Sequence, residues 1–457
     1  MGCSKQNYIF LNTTFEDLEI HVDDVLPRQA RSPKTLTGYG SLPRCLSTFP
    51  KGGKPSDYDP VLLSYFEDII CSSSTLVDNA HYNPYRYLIL PMALESDGLY
   101  HATLAIAANT LCLSDSRYRL PALEHHHCAL VYLKEILGHK TWGEKELDEI
   151  LGLVLMLCWF DISDNSRPSW VTHLSGFQDL IRTRQERPGR SFHSQTLSGF
   201  FNRYFAFHLV LARTAFRVDI PNYKLPTSTD FMIESPDTID PYMGFSQSLL
   251  LLIDRVTELA WSKEDEQINI SPSTVHTLKK DLEDIQQRLP SEQIDPTTEC
   301  ASIAEANRLG ALLLLHETCS PKSASANKPS LPIFDQEEKN QFVKRILSLI
   351  MGKKANMMRT AALPLWPLFL AGCCARGDEE RVIVLRLFEE LNDIRRFGNI
   401  SPAKEVIEMV WRRRDLLADE GKRQSVDTKL KKDPLRGARF TWEHAMVMLG
   451  DWKLSLT

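Results

Sequence analysis

Apolar residues recur every three or four positions along most of this chain, and stretches that alternate every second residue are almost absent. The first helical stretch opens at Asp59-Pro60, a capping residue followed by a proline suited to a first turn. Val61, Leu62, Tyr65, Phe66, Ile69 and Ile70 then mark one helical face. Further helices are predicted over residues 99–113, 121–137, 147–160, 169–183, 197–216, 245–261, 274–289, 301–319, 336–351, 361–375, 379–395, 403–417 and 440–449. Residues 301–319 are apolar nearly all round, which places that helix at the centre of a core. In 274–289 the residues Val275, Leu278, Leu282, Ile285 and Leu289 form a stripe at spacings 3, 4, 3, 4. Two heptads fall short of the three or four that define a coiled coil, so the stripe is read as a helix lying on the core.

Punctuation divides the chain. Pro27, Pro33, Pro43, Pro50 and Pro55 interrupt a front segment in which 32–55 has no hydrophobic period. Residues 1–55 therefore read as a flexible leader, and 56–457 as one all-α multi-helix array. Residues 320–331, rich in Ser, Pro, Lys and Asn, are predicted to form an exposed loop.

Composition narrows the class. Hydrophobic residues make up 43% and charged residues 25% of the chain, as in an ordinary globular protein. With 53 basic and 59 acidic side chains the net charge is −6. A dedicated DNA-binding domain usually carries a strong positive excess, so any nucleic-acid contact here would come from a local patch. The ten cysteines are scattered; Cys112, Cys158 and Cys319 sit in apolar helical runs, where a thiol acts as a small hydrophobe. That usage fits the cytosol or nucleus. The longest apolar run, 150–160, is too short for a bilayer, which takes about 20 residues. Gly2-Cys3 opens like an acylation signal, but Gln6 stands where that signal has Ser or Thr.

The order of segments resembles the fungal-specific transcription factor domain of the second type. The likeness runs from Asn83-Pro84-Tyr85-Arg86 through Leu90-Pro91-Met92-Ala93 to the helix beginning Leu99-Tyr100-His101-Ala102. It continues at Trp170-Val171-Thr172-His173, Asp240-Pro241-Tyr242-Met243-Gly244, Leu365-Trp366-Pro367-Leu368, Phe397-Gly398-Asn399, Trp411 and Trp442. The resemblance implies an all-α regulatory domain and carries over no catalytic residues. That region usually follows a binuclear zinc cluster, which needs six thiolates in a compact array. Residues 1–55 hold only Cys3 and Cys45. The expectation is a nuclear regulator working through other transcription regulators or a DNA-bound partner, or through a zinc cluster upstream of Met1.

Individual constellations add little chemistry. His125-His126-His127-Cys128 diverge by about 100° per residue on a helix, so three adjacent imidazoles cannot face one metal, and the run is read as helix surface. Cys373-Cys374 reads as a small-residue helix end in a reduced core, and His173 as a buried histidine bonded to a neighbouring helix. Asp23-Asp24 and Asn392-Asp393 lack the acidic continuation of a magnesium site. Arg412 to Arg414 are placed on the wet side of a helix, while Lys429-Leu430-Lys431-Lys432 is the better import signal. No nucleotide loop, zinc-protease or hydrolase motif is present. No catalytic residue, metal ligand or cofactor is assigned. The alternative is a ligand-sensing receptor or scaffold, its pocket lying between helices such as 99–113 and 301–319; an unrecognised all-α enzyme ranks third.

Overall fold

The structure is a computed structural model and describes residues 58–139, 141–185, 192–218, 235–261, 271–290, 299–320, 335–357, 363–395, 398–423 and 439–457. The leader 1–55, Asp23-Asp24, the 320–331 loop beyond Ser320, and the lysine run at 429–432 lie outside these residues. The fold is all-α, with fifteen α-helices among the described residues and one two-stranded sheet. None of these helices is long and apolar enough to cross a membrane.

Helix α1 (Asp59–Tyr65) starts with Pro60 in its first turn and runs into a π-helical turn, Phe66–Cys71. The wider turn changes the register. Only Leu62, Phe66 and Ile70 of the predicted face are buried, whereas Val61 and Ile69 are 52% and 42% exposed. A second π turn (Tyr85–Ile89) leads into α2 (Leu90–Glu95). Ser96 then caps α3 (Asp97–Cys112), its Oγ accepting from Leu99 N at 3.2 Å. Helix α3 packs against α4 (Arg119–Leu137) and α5 (Glu144–Ser163). The apolar run of α5 is buried almost throughout, and α6 (Ser169–Gln185) lies against it.

Helices α7 (Phe192–Ala215) and α8 (Gln247–Trp261) flank a small antiparallel pair, β1 (Ile239–Asp240) and β2 (Phe245–Ser246). This hairpin also ends α9 (Pro272–Asp284) earlier than its stripe predicts. Arg288 is drawn to the sheet edge, its carbonyl accepting from Ile239 N at 2.8 Å and its N–H donating to Asp237 O at 2.9 Å. Ile285 leaves helical geometry, and Leu289 is 43% exposed. Backbone pairing there outweighs the helical period.

The central helix is α10 (Cys300–Cys319), as its all-round apolarity predicts, with α8, α11 (Gln336–Met357) and α12 (Leu365–Cys374) around it. Gly310 permits the close crossing of α12: a Cβ there would sit 3.1 Å from Pro367 Cβ. Helix α12 starts at Leu365, four residues after the predicted 361, with Pro364 just before it. Helices α13 (Asp378–Arg395), α14 (Ile400–Arg423) and α15 (Thr441–Met448) complete the array.

Buried tryptophans tie distant parts of the chain together. Trp366 Nε1 donates to Thr214 Oγ1 at 2.8 Å, Trp442 Nε1 to Thr214 O at 3.1 Å, and Trp170 Nε1 to Lys453 O at 2.7 Å. An indole that buries its bulk must place its N–H, and these three helices fix where their partners sit.

A candidate effector cavity

Helix geometry separates the histidine triplet, though not as a surface feature. His127 and Cys128 are exposed, but His125 is only 7% exposed and His126 is turned inward. His125 Nδ1 lies 2.9 Å from His101 Nδ1, and its Nε2 lies 3.5 Å from Asp59 Oδ1. His126 stacks on Phe160 with centroids 4.1 Å apart, its Nε2 lying 3.8 Å from Asp161 Oδ1. His173 approaches the same carboxylate from the neighbouring helix, Nε2 to Oδ2 at 3.3 Å. Burial pushes His125 and His126 down to about 4, so both imidazoles are neutral near pH 7. Among the described residues no three His, Cys, Asp or Glu side chains gather so as to hold a metal ion.

The other sequence candidates are structural in their contacts. Cys373 and Cys374 are buried thiols at the end of α12, and burial raises Cys374 to about 12. Arg412 lies on the wet side, paired with Glu408 at 3.1 Å. Arg414 departs from that reading: it folds back onto α12, donating to Ala375 O at 2.6 Å and to Cys373 O. It satisfies carbonyls that a helix end leaves open.

A cavity of about 70 Å³ lies elsewhere, and neither α3 nor α10 lines it. Its walls come from the first π turn's exit (Ser74), the second π turn (Tyr85) and the end of α5 (Trp159, Ile162, Ser163). Tyr204, Phe207 and His208 of α7 and Tyr242 of the hairpin form a second side. Leu363 and Leu365 at the start of α12, then Asn399, Ile400 and Thr457, close it.

Local sequence sets each wall. Asn83 anchors the Tyr85 turn, its Nδ2 donating to Cys71 O at 2.7 Å while its Oδ1 accepts from Arg86 N at 3.1 Å. In Asp240-Pro241-Tyr242-Met243-Gly244, Asp240 Oδ1 accepts from Tyr242 N at 2.8 Å, and Gly244 takes φ +81°. That turn aims Tyr242 at Tyr85, their ring centroids 6.1 Å apart. Gly398 lets the chain press on the end of α5; a Cβ there would meet Ser163 O and lie 2.6 Å from Asn165 N.

The polar groups divide into satisfied and open ones. Ser74 Oγ donates to Ile70 O at 2.6 Å, and Ser163 Oγ to Phe160 O at 2.9 Å. Tyr204 Oη donates to Leu155 O at 3.3 Å, and its ring stacks on His208 at 4.0 Å. His208 Nδ1 lies 2.9 Å from Tyr204 O, and a carbonyl only accepts, so the proton sits on Nδ1. Burial pushes His208 down to about 4, leaving a neutral ring whose Nε2 is an acceptor. Asn399 Nδ2 donates to Ser455 O at 3.2 Å and Thr457 O at 3.0 Å, which fixes its Oδ1 as the acceptor end. No hydrogen bond to His208 Nε2 or Asn399 Oδ1 occurs among the described residues. No lysine, arginine, aspartate or glutamate among them lines the cavity. The arrangement can bind and orient a small molecule; among the described lining residues the Ser74, Ser163 and Tyr204 hydroxyls donate to backbone carbonyls and not to His208.

The model of the fungal specific transcription factor domain matches residues 61–457. The chain belongs to this family. It regulates transcription, and the resemblance first read at Asn83-Pro84-Tyr85-Arg86 holds over the whole helical region. The transcriptional activator protein UGA3 of Saccharomyces cerevisiae is 23% identical over 376 residues, covering 72% of this chain and 69% of that protein. No solved structure matches. In this fungal specific transcription factor domain, three segments of the original likeness meet at the cavity through Tyr85, Tyr242 and Asn399. The sequence reading did not single them out as a site. His208 was missed entirely; its one local signal is Tyr204 one helical turn earlier on the same face.

Proposed function

We propose that this protein acts in the nucleus by contact with other transcription regulators or DNA-bound proteins, that it is not an enzyme, and that a small effector entering the cavity biases those contacts. The observation that supports the effector role is where the cavity lies. Its walls combine Tyr85, the end of α5, α7, the 240–244 turn, the start of α12 and Asn399, segments hundreds of residues apart. An occupant touching all of them stabilises whichever packing holds them together, and differential affinity for two packings shifts their populations. The described part of 56–457 is taken as one all-α unit behind a flexible leader at 1–55, with the lysine run at 429–432 as import signal.

Tethering the full chain to a heterologous DNA-binding module tests the regulatory part. Reporter transcription should change in either direction, and the untethered chain should co-purify with DNA-bound regulators from nuclei. An unchanged reporter together with an exclusively non-nuclear protein would overturn this reading.

A further inference from the structure

We propose that the outer face of α11 holds the phosphate backbone of duplex DNA, a sequence-independent contact that this chain makes itself while a DNA-bound partner supplies the address. The inference goes beyond the function proposed above, where DNA is reached only through other proteins, and that reading stands if this one fails.

The chain carries a net charge of −6, yet from Lys339 to Gly377 it has seven basic residues and no acidic one. Lys339 is buried and taken up by Glu317. Lys344 and Arg345 differ: both are exposed, and no carboxylate of any described element pairs with either. Arg412, by contrast, is held by Glu408, and Arg381 by Asp415. Helix α11 buries Val343, Ile346, Leu347 and Ile350 against α10 and α12, which turns Gln341, Lys344, Arg345, Ser348 and Gly352 to the other side. These five rise about 16 Å along the helix. A Cβ on Gly352 would meet nothing within 4 Å, so the space over this side is open. The acidic residues of α11, Glu337 and Glu338, stand in its first turn, and Glu338 is paired with Lys279 at 2.8 Å. Lys344 and Arg345 lie mid-helix, where the helix dipole gives a cation no advantage. Lysine, arginine, a serine hydroxyl and a glutamine amide are the groups that meet phosphate, and such contacts position a protein without reading bases. An acidic peptide would need apolar anchors beside the charge, and among the described residues of this helix Met351 alone is a large exposed hydrophobic. Two unpaired cations make a weak contact. A partner bound nearby raises the effective concentration of the duplex, which lets a weak contact count.

Fluorescence anisotropy of the full-length protein with a short duplex of arbitrary sequence, titrated from about 50 to 200 mM salt, tests the proposal. The logarithm of the binding constant should fall linearly with the logarithm of salt concentration. Lys344→Gln with Arg345→Gln should make that slope shallower by about two and weaken binding alike on unrelated sequences. Glutamine suits an exposed helix position, so the fold should persist. Lys344→Arg with Arg345→Lys, which keeps both charges, should keep the slope. The same drop is expected in a chain whose Lys429, Lys431 and Lys432 are already glutamine, which removes the other basic run from the comparison. Neutralising two other exposed cations, Lys134 and Arg386, should leave the slope as it is. No binding of the wild type at the lowest salt, a slope untouched by the α11 pair, or an equal drop from the Lys134 and Arg386 pair would overturn the proposal. So would polyglutamate of matched charge displacing the duplex at a lower concentration than unlabelled DNA does, since the face would then belong to an acidic protein segment.

Discussion

Asp161 is buried with His173 Nε2 3.3 Å from its Oδ2, and His126 Nε2 stands 3.8 Å from its other oxygen. Arg167 and Asp164 add their fields to the same cluster. His126, like His125 and His208, is held by burial at about 4, below the ordinary imidazole value of 6.5. The unfolded chain therefore takes up these protons first as pH falls. Stability from keeping the rings neutral is whole above about 6.5 and is lost as pH drops toward 4, by up to about 1.4 kcal/mol per pH unit for each ring. Urea unfolding at pH 7, 6, 5 and 4.5 should show a steepening loss. His126→Phe, which keeps the stack on Phe160, should flatten it. A stability independent of pH from 7 to 4.5 would refute the account.

Thr214 serves two tryptophans at once, its Oγ1 accepting from Trp366 and its carbonyl from Trp442. Thr214→Val keeps the shape and the carbonyl but leaves the Trp366 N–H buried without its acceptor. The expected cost is about 1–3 kcal/mol. Denaturant melts read it directly, with an unchanged m-value. The double variant Thr214→Val with Trp366→Phe should recover part of the loss, because donor and acceptor are then both gone.

Much of this architecture is legible in the chain because helices bury stripes, and a stripe repeats every three or four residues. The central place of α10 follows from Leu312, Leu313, Leu314 and Leu315, successive residues about 100° apart that are all buried, so that every side of one helix is covered. Three features escape that signal for physical reasons. The π turn at 66–71 changes register without changing composition, so Ile69 looks buried in sequence and is not. The end of α9 is set by strand pairing with Ile239, some fifty residues away. The inward side of the histidine triplet depends on Phe160 and Asp161, which no local period reports; an aspartate directly after the apolar run 150–160 is the only hint. The cavity was the least legible, since its walls are assembled from eight separate stretches of chain between Ser74 and Thr457.

The chain's last residues are predicted to hold the cavity closed. Leu454 and Leu456 are buried, Lys453 O accepts from Trp170, and the carbonyls of Ser455 and Thr457 orient Asn399. Deleting 453–457 removes two buried leucines and three acceptors. A loss of about 4 kcal/mol or more is expected from the leucines alone. Near-ultraviolet circular dichroism should show altered tryptophan signals while the helical far-ultraviolet signal is largely kept. Unaltered tryptophan signals after the deletion would show that this segment does not pack as described.

Gly398 gives the sharpest local test, because its neighbours are backbone atoms that cannot rotate away. A Cβ would run into Ser163 O and stand 2.6 Å from Asn165 N. Asn165 and Ser166 already hold φ of +58° and +50°, so the end of α5 has little room to adjust. Gly398→Ala must therefore push the 398–400 turn outward, moving Asn399 away from the carbonyls of Ser455 and Thr457. A destabilisation of about 2–3 kcal/mol is expected. An alanine of the same size at Gly176, which has nothing within 4 Å of its Cβ, should leave stability the same or raise it slightly as a helix former. Thermal unfolding of the two single variants makes the comparison. Equal melting points would mean that the turn is not pressed against α5, and the cavity's floor would have to be redrawn.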